Sequence, residues 1–170
     1  SEISQRTMIS FSHRSTLTEE MDDPSFSEND IRSSFQMILK VNRYLNGTNT
    51  TLTHLKRFAK TWNPNQTITI LDIGTGCADI PVQIMKWAEK NNYKIRIFAL
   101  DRNFRTLQIA KQFTQYHPNI HLISADALHL PLKPNSIDYV LSAMFFHHLN
   151  DIEIVELLGR INQITRHGII

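Results

Sequence analysis

Apolar positions along the chain change their rhythm near residue 65, which separates a helical lead-in over residues 1–64 from a mixed core over residues 65–170. Up to about Asp23 the sequence is polar without a clear period, so a loosely docked segment is expected there. From Ser27, a capping-box pattern with Asp30 opens a helix. Its Ile31, Phe35, Ile38, Leu39 and Leu45 recur on one face, and Gly47 is expected to stop it. Leu52, Leu55, Phe58, Ala59 and Trp62 carry the same period into a second helix, which Pro64 breaks. Beyond that point the pattern predicts strands at Thr67–Ile73, Ile95–Leu100, Ile120–Ser124 and Ile137–Ser142. The intervening segments recur at helical spacing, first in Ile80, Ile84, Met85 and Ala88, then in Leu107, Ile109, Ala110 and Phe113. A last helix, Asp151 to about Arg166, is expected to turn Ile154, Val155, Leu158 and Ile161 toward the sheet. The closing Gly168-Ile169-Ile170 reads as a fifth strand just beginning.

Strand alternating with helix calls for an α/β fold with a mostly parallel, doubly wound, Rossmann-like sheet. In such a sheet the ligand crevice lies at the carboxyl ends of the strands, so the chemistry belongs on the loops there.

Composition changes this picture little. With 170 residues the chain suits one domain, and 41% hydrophobic and 20% charged content is ordinary for a globular protein. No apolar run approaches the roughly 20 residues of a membrane-spanning helix. A net charge of +2, from 18 basic and 16 acidic residues, is spread without a basic field, so nucleic acid is not an expected partner. The lone Cys77 cannot form an internal disulfide and no signal peptide opens the chain, which points to a reducing cytoplasm.

The first strand runs into Leu71-Asp72-Ile73-Gly74-Thr75-Gly76-Cys77-Ala78-Asp79-Ile80-Pro81, a glycine turn followed by a helix. Gly74 and Gly76 permit a tight turn and let a ligand approach bare backbone. A dinucleotide fingerprint needs a third glycine where this chain has Asp79. A carboxylate there opposes a pyrophosphate, whereas Asp79 with Asp72 suits a ligand bearing a sulfonium and an ammonium group. The charge pattern therefore favours S-adenosylmethionine over NAD. Asp101, ending the second strand, can accept hydrogen bonds from both hydroxyls of a ribose. Asp126, ending the third, can receive the amine of adenine while Ala127 or Leu128 covers the ring.

The loop at 71–81, the acid at 101, Ala125-Asp126-Ala127 with Leu130-Pro131, and Ser136-Ile137-Asp138-Tyr139-Val140 leading to Phe146-His147-His148-Leu149 together carry a family resemblance. In that order and spacing they resemble class I S-adenosylmethionine-dependent methyltransferases, especially small-molecule enzymes of the ubiquinone/menaquinone-biosynthesis-like type. The resemblance implies that Gly74 and Gly76 line the methionine moiety, with Thr75 between them. By the same implication Asp101 holds the ribose, with Arg102 beside it a further cofactor-binding residue, Asp126 with Ala127 hold the adenine, and Ser142 with Ala143 border the reacting methyl. It further implies seven strands, of which this chain reaches the fifth, so a sheet incomplete at its C-terminal end is expected. Helices before the first strand often form a lid in the family.

Methyl transfer from a sulfonium needs alignment of a small-molecule acceptor and exclusion of water, not a metal. An oxygen or carbon acceptor that must lose a proton calls for a base, and His147, or His148 beside it, stands at the appropriate strand end. Plainer roles remain open at each position. Asp72 could organise loop amides, Cys77 could simply pack, either histidine could cap a turn, and Phe145-Phe146 could be core or one wall of a substrate pocket. His13, His54, His117, His121, His129 and His167 show no metal-site spacing. Two other functions stay open, a non-catalytic adenosyl-binding or partner-binding module and an NAD(P)-dependent oxidoreductase. The latter must explain Asp79 and the absence of a closely spaced tyrosine–lysine pair. An Asn/Asp-Pro-Pro-aromatic loop for base methylation is replaced by Ser142-Ala143-Met144-Phe145.

Overall fold

The structure, a computed structural model, describes residues 47–170 together with Ser33. The helix expected from Ser27 and any lid it forms lie outside the described residues. Gly47, expected to stop that helix, is instead the first residue of helix α1 (Gly47–Ala59). The core then runs β1 (Thr67–Ile73), α2 (Asp79–Lys90), β2 (Lys94–Asp101), α3 (Phe104–Thr114), β3 (Ile120–Ser124), β4 (Ile137–Leu141), α4 (Asp151–Ile164) and β5 (Thr165–Ile169).

All five strands pair in parallel, in the order β3-β2-β1-β4-β5. This is the α/β Rossmann-like arrangement, with the chain leaving β1 toward one edge and returning to build β4 and β5 on the other. The reversal between β1 and β4 opens the crevice in which such sheets hold ligands. A sheet covered on both faces needs apolar residues at successive positions. In β1, Ile68 and Ile70 join a cluster with Leu55, Ile84, Met85 and Ala88, while Leu71 and Ile73 join another with Val140, Leu157 and Ile161. Helices α1 and α2 therefore cover one face and α4 the other.

The segment after α1 is pinned to the sheet by aromatic packing. The Trp62 indole donates a hydrogen bond to the Tyr139 hydroxyl at 3.0 Å and packs edge-on against Trp87 and Tyr93. Phe58, expected inside, is 38% exposed, although its ring lies 5.1 Å from that of Tyr139. Phe113 of α3, also expected inside, is 43% exposed.

Helix α4 departs most from expectation. Its capping box is complete, the Asn150 side chain accepting from the Glu153 amide at 3.0 Å and the Glu153 side chain from the Asn150 amide at 2.8 Å. The buried face is Leu157, Ile161 and Ile164, whereas Val155 and Leu158 are exposed, at 71% and 41%. Two apolar stripes run along this helix, Ile152-Val155-Leu158 and Ile154-Leu157-Ile161-Ile164, and only the second meets the sheet. The helix also ends at Ile164 rather than near Arg166, and β5 begins at Thr165 rather than Gly168. A bulge explains the early start. Ile137 pairs with Thr165 but Tyr139 with Gly168, which places an extra residue on β5 and brings Arg166 against Asp138 at 2.8 Å. Among the described residues, no helix is long and apolar enough to cross a membrane.

Candidate functional site

The carboxyl end of β1 turns sharply because Gly74 and Gly76 adopt positive φ values of 72° and 55°, with Ala78 following at 61° as the residue before α2. The amides released by this turn point toward β2. Those of Gly74 and Thr75 both donate to the Leu100 carbonyl at 2.9 Å, and that of Gly76 donates to Asp101 Oδ2 at 2.9 Å. The Ala78 amide closes on the Thr75 carbonyl at 2.9 Å. A phosphate cradle keeps such amides aimed at its ligand. Here four of them are committed to protein acceptors, and Asp79 and Asp101 lend the turn negative charge, which favours a cation-bearing ligand over a pyrophosphate.

Asp101 is half-buried, and its second oxygen accepts from the Asn103 amide at 2.9 Å. A carboxylate offers about four lone-pair sites, so it can accept more hydrogen bonds than these two. Asn103, which the sequence reading did not single out, positions this loop. Its side chain caps α3 by accepting from the Arg105 and Thr106 amides at 3.0 and 3.3 Å, which fixes the loop that carries Asp101 and Arg102. An asparagine directly before an apolar helical period was the available signal.

At the tip of β3, the Ala125 amide donates to the Asp101 carbonyl at 3.2 Å, which sets Asp126 beside Asp101. Asp126 is exposed and caps a short 3-10 turn over Ala127–His129. The Leu128 amide, then the His129 ring 2.9 Å away, hold its carboxyl below the ordinary value, and the exposed Arg102 adds a favourable charge. Ala127 is only 4% exposed and its methyl lies in the core cluster under α4. What it presents to the crevice is chiefly backbone.

Asp72 sits beneath the turn, 3% exposed, and accepts a 2.6 Å hydrogen bond from the Thr75 hydroxyl. Burial pushes its carboxyl up to about 7 against the lowering effect of that bond, and the Asp79 and Asp101 charges add to the rise. A folded-state pKa above the unfolded value means the folded chain holds a proton that the unfolded chain has released. The stability this residue contributes is therefore full below pH 4 and is lost as pH rises through about 7. Asp72→Asn is expected to remove this dependence. Between pH 5 and pH 8 its urea-unfolding free energy should gain roughly 2 to 3 kcal/mol relative to the parent, and parallel curves would show that Asp72 does not titrate there.

Cys77 next to it is 2% exposed, and burial followed by the Asp79 charge pushes its thiol up to about 12. It packs. The expected result is that a disulfide-exchange reagent at pH 8 labels Cys77 only after unfolding in urea.

Opposite the turn, the loop after β4 carries Ser142 and Ala143, both half-buried, and then Met144 with a positive φ of 57°. Ser142 Oγ is buried without a hydrogen-bond partner among the described residues. The Phe145 ring lies directly on Gly74, where a Cβ would come within 2.5 Å of Phe145 Cδ2. His147 and His148 follow on a 3-10 turn over Phe146–His148, both exposed, with ring centroids 4.1 Å apart. The sequence candidates thus gather on the four adjacent strand tips of β3, β2, β1 and β4.

The chain is similar in sequence and fold to known proteins. A family profile described as "Methyltransferase domain" matches residues 70–168. A demethylmenaquinone methyltransferase of Staphylococcus haemolyticus is 29% identical over 98 residues, 58% of this chain and 39% of that protein. A ubiquinone/menaquinone biosynthesis C-methyltransferase of Rickettsia prowazekii is 33% identical over 92 residues, 52% of this chain and 37% of that protein. The matched stretch is therefore about two fifths of these relatives' length. Among solved structures, a Methanococcus maripaludis protein named for S-adenosyl-L-methionine-dependent methyl transfer superposes with a TM-score of 0.64 at 16% identity, over 91% of this chain and 64% of its own. An N-methyltransferase of Haemonchus contortus, solved with phosphomonomethylethanolamine and S-adenosylhomocysteine, does so at 0.55 and 24% identity, over 71% of this chain and 27% of its own.

Proposed function

The chain belongs to the methyltransferase domain family, and from that premise we propose that its crevice binds S-adenosylmethionine and directs transfer of the methyl group to an oxygen or carbon nucleophile of a small molecule. The observation that carries this reading is the acidic rim over a glycine turn whose amides are already bonded to β2. It suits a positively charged nucleoside better than a pyrophosphate, since the glycine-turn amides of residues 74–76 are already bonded. The names of the relatives, which concern menaquinone and ubiquinone biosynthesis, favour a carbon of a reduced quinone ring as the accepting atom.

Asp126 and the backbone of Ala127 would receive adenine, Asp101 with Arg102 nearby the ribose, and the backbone of the Gly74–Gly76 turn the amino-acid end, balanced by Asp79, while Asp72 holds the Thr75 hydroxyl beneath the turn. When bound, the group supplies a methyl already activated by a sulfonium. The protein must therefore align the acceptor and keep water out. Ser142 Oγ, buried and unpartnered among the described residues, can donate to whatever lies between β1 and β4. His147 stands at the same strand end and can take the proton that a hydroxyl or ring carbon releases as it is methylated.

Titration calorimetry with adenosylhomocysteine and with NADH tests the reading. Adenosylhomocysteine binding without NADH binding supports it, and the reverse sinks it. With a reduced naphthoquinone as acceptor, His147→Ala is expected to lower kcat by roughly 10²-fold while leaving adenosylhomocysteine affinity in place. An unchanged kcat would transfer the role elsewhere. Binding without turnover across a broad panel of acceptors would favour a non-catalytic adenosyl-binding module.

A further inference from the structure

Strand order gives the crevice a polarity. Asp126 stands at the tip of β3, Asp101 at β2, Gly74 at β1 and Phe145 just past β4, and these strands are neighbours in that sequence. If the nucleoside lies over β3 and β2, as the function proposed above requires, then the reacting end lies over β1 and β4. Phe145 occupies that end.

Its ring is seated on the bare face of Gly74. A Cβ at position 74 would meet Phe145 Cδ2 at 2.5 Å, Cγ at 2.9 Å and Cβ at 3.0 Å. Contact this close means that the ring fills the volume any side chain at 74 would need. The ring is also backed, with Phe146 at 6.4 Å and His148 at 5.9 Å between ring centroids and the Leu71-Ile73-Val140 cluster below. The left-handed Met144 sets the direction in which the chain delivers it. The three heavy atoms nearest to that Cβ all belong to Phe145 and none to Phe146, its equal in sequence.

We infer that Phe145 is the specificity-determining wall of the crevice's reacting end, limiting the size of the group that can sit beside Gly74. A planar ring with few rotatable bonds, held from behind, is a rigid stop. It restricts both what the sulfur can carry and how closely an acceptor can lie. The inference rests on the cofactor reading, and its test separates the two.

The probes are adenosylhomocysteine and an adenosyl sulfonium analogue bearing benzyl in place of methyl, titrated calorimetrically into the parent chain, Phe145→Ala and Phe145→Leu. The parent should disfavour the benzyl analogue against adenosylhomocysteine by roughly tenfold or more, and Phe145→Ala should remove most of that difference in the ratio of the two affinities. Phe145→Leu, which keeps an apolar filling, should fall between them and guards against a misfolded alanine variant. An affinity ratio identical in all three proteins overturns the wall and leaves the cofactor reading intact. Failure of the parent to bind adenosylhomocysteine overturns the cofactor reading and, with it, this inference.

Discussion

Asp101→Ala is expected to weaken adenosylhomocysteine binding by roughly two orders of magnitude or more, because two hydrogen bonds to a charged carboxylate contribute on the order of 1.5 to 3 kcal/mol each. The effect reaches past the ribose. Asp101 Oδ2 also holds the Gly76 amide and Oδ1 the Asn103 amide, so alanine frees the glycine turn and the loop before α3 together. Asp101→Asn keeps one acceptor oxygen and the side-chain shape, and should lose less. Calorimetric titration, with a thermal melt to confirm that each variant is folded, measures the series. Affinity unchanged in Asp101→Ala removes this residue from the site and with it the orientation of the ligand across the strand tips.

The parts of this design legible in the sequence are those fixed by local rules. β1 and β3 have the bounds their apolar runs predict: β1 is buried on both faces, which leaves little room for alternatives, and β3, at the sheet edge, is marked by its short run of Ile120, Leu122 and Ile123. The acids at 101 and 126 fall on the crevice because a parallel sheet puts every strand tip on the same side. What escaped was decided between elements. Helix α4 carries two apolar stripes of similar strength, and the choice between them depends on where the capping box and β5 hold the helix, not on its own period. The start of β5 depends on a bulge opposite Asp138, which no propensity records. In the loop after β4, Phe145 and Phe146 are equivalent as letters. The positive φ at Met144 and the missing Cβ at Gly74 choose between them.

Asp138 carries the second large expectation, this one on stability. Its side chain is fully buried in β4 and joins three strands. Oδ2 accepts from the Thr69 amide and the Thr69 hydroxyl of β1, each at 2.8 Å, and Oδ1 from Arg166 of β5 at 2.8 Å. Burial opposes its ionisation. The Thr69 amide, the Arg166 guanidinium and the Thr69 hydroxyl outweigh burial and hold the carboxyl below its ordinary 3.8. With the folded value depressed, its stabilising effect is present above the unfolded pKa and is lost as pH falls through the folded one.

Asp138→Ala should cost about 3 kcal/mol at pH 7, the lower end for a broken buried pair, since Arg166, with its side chain 43% exposed, can turn to water. Arg166→Met is the more informative partner. It leaves a buried carboxylate with Thr69 as its main remaining support, so it should destabilise more at pH 7 than at pH 4, where protonation relieves the unpaired charge. Urea unfolding of both variants at the two pH values measures this. A loss below about 1 kcal/mol in Asp138→Ala, within the range of an exposed ion pair, would mean that β5 is held by its ladder alone and that the bulge does not serve this carboxylate.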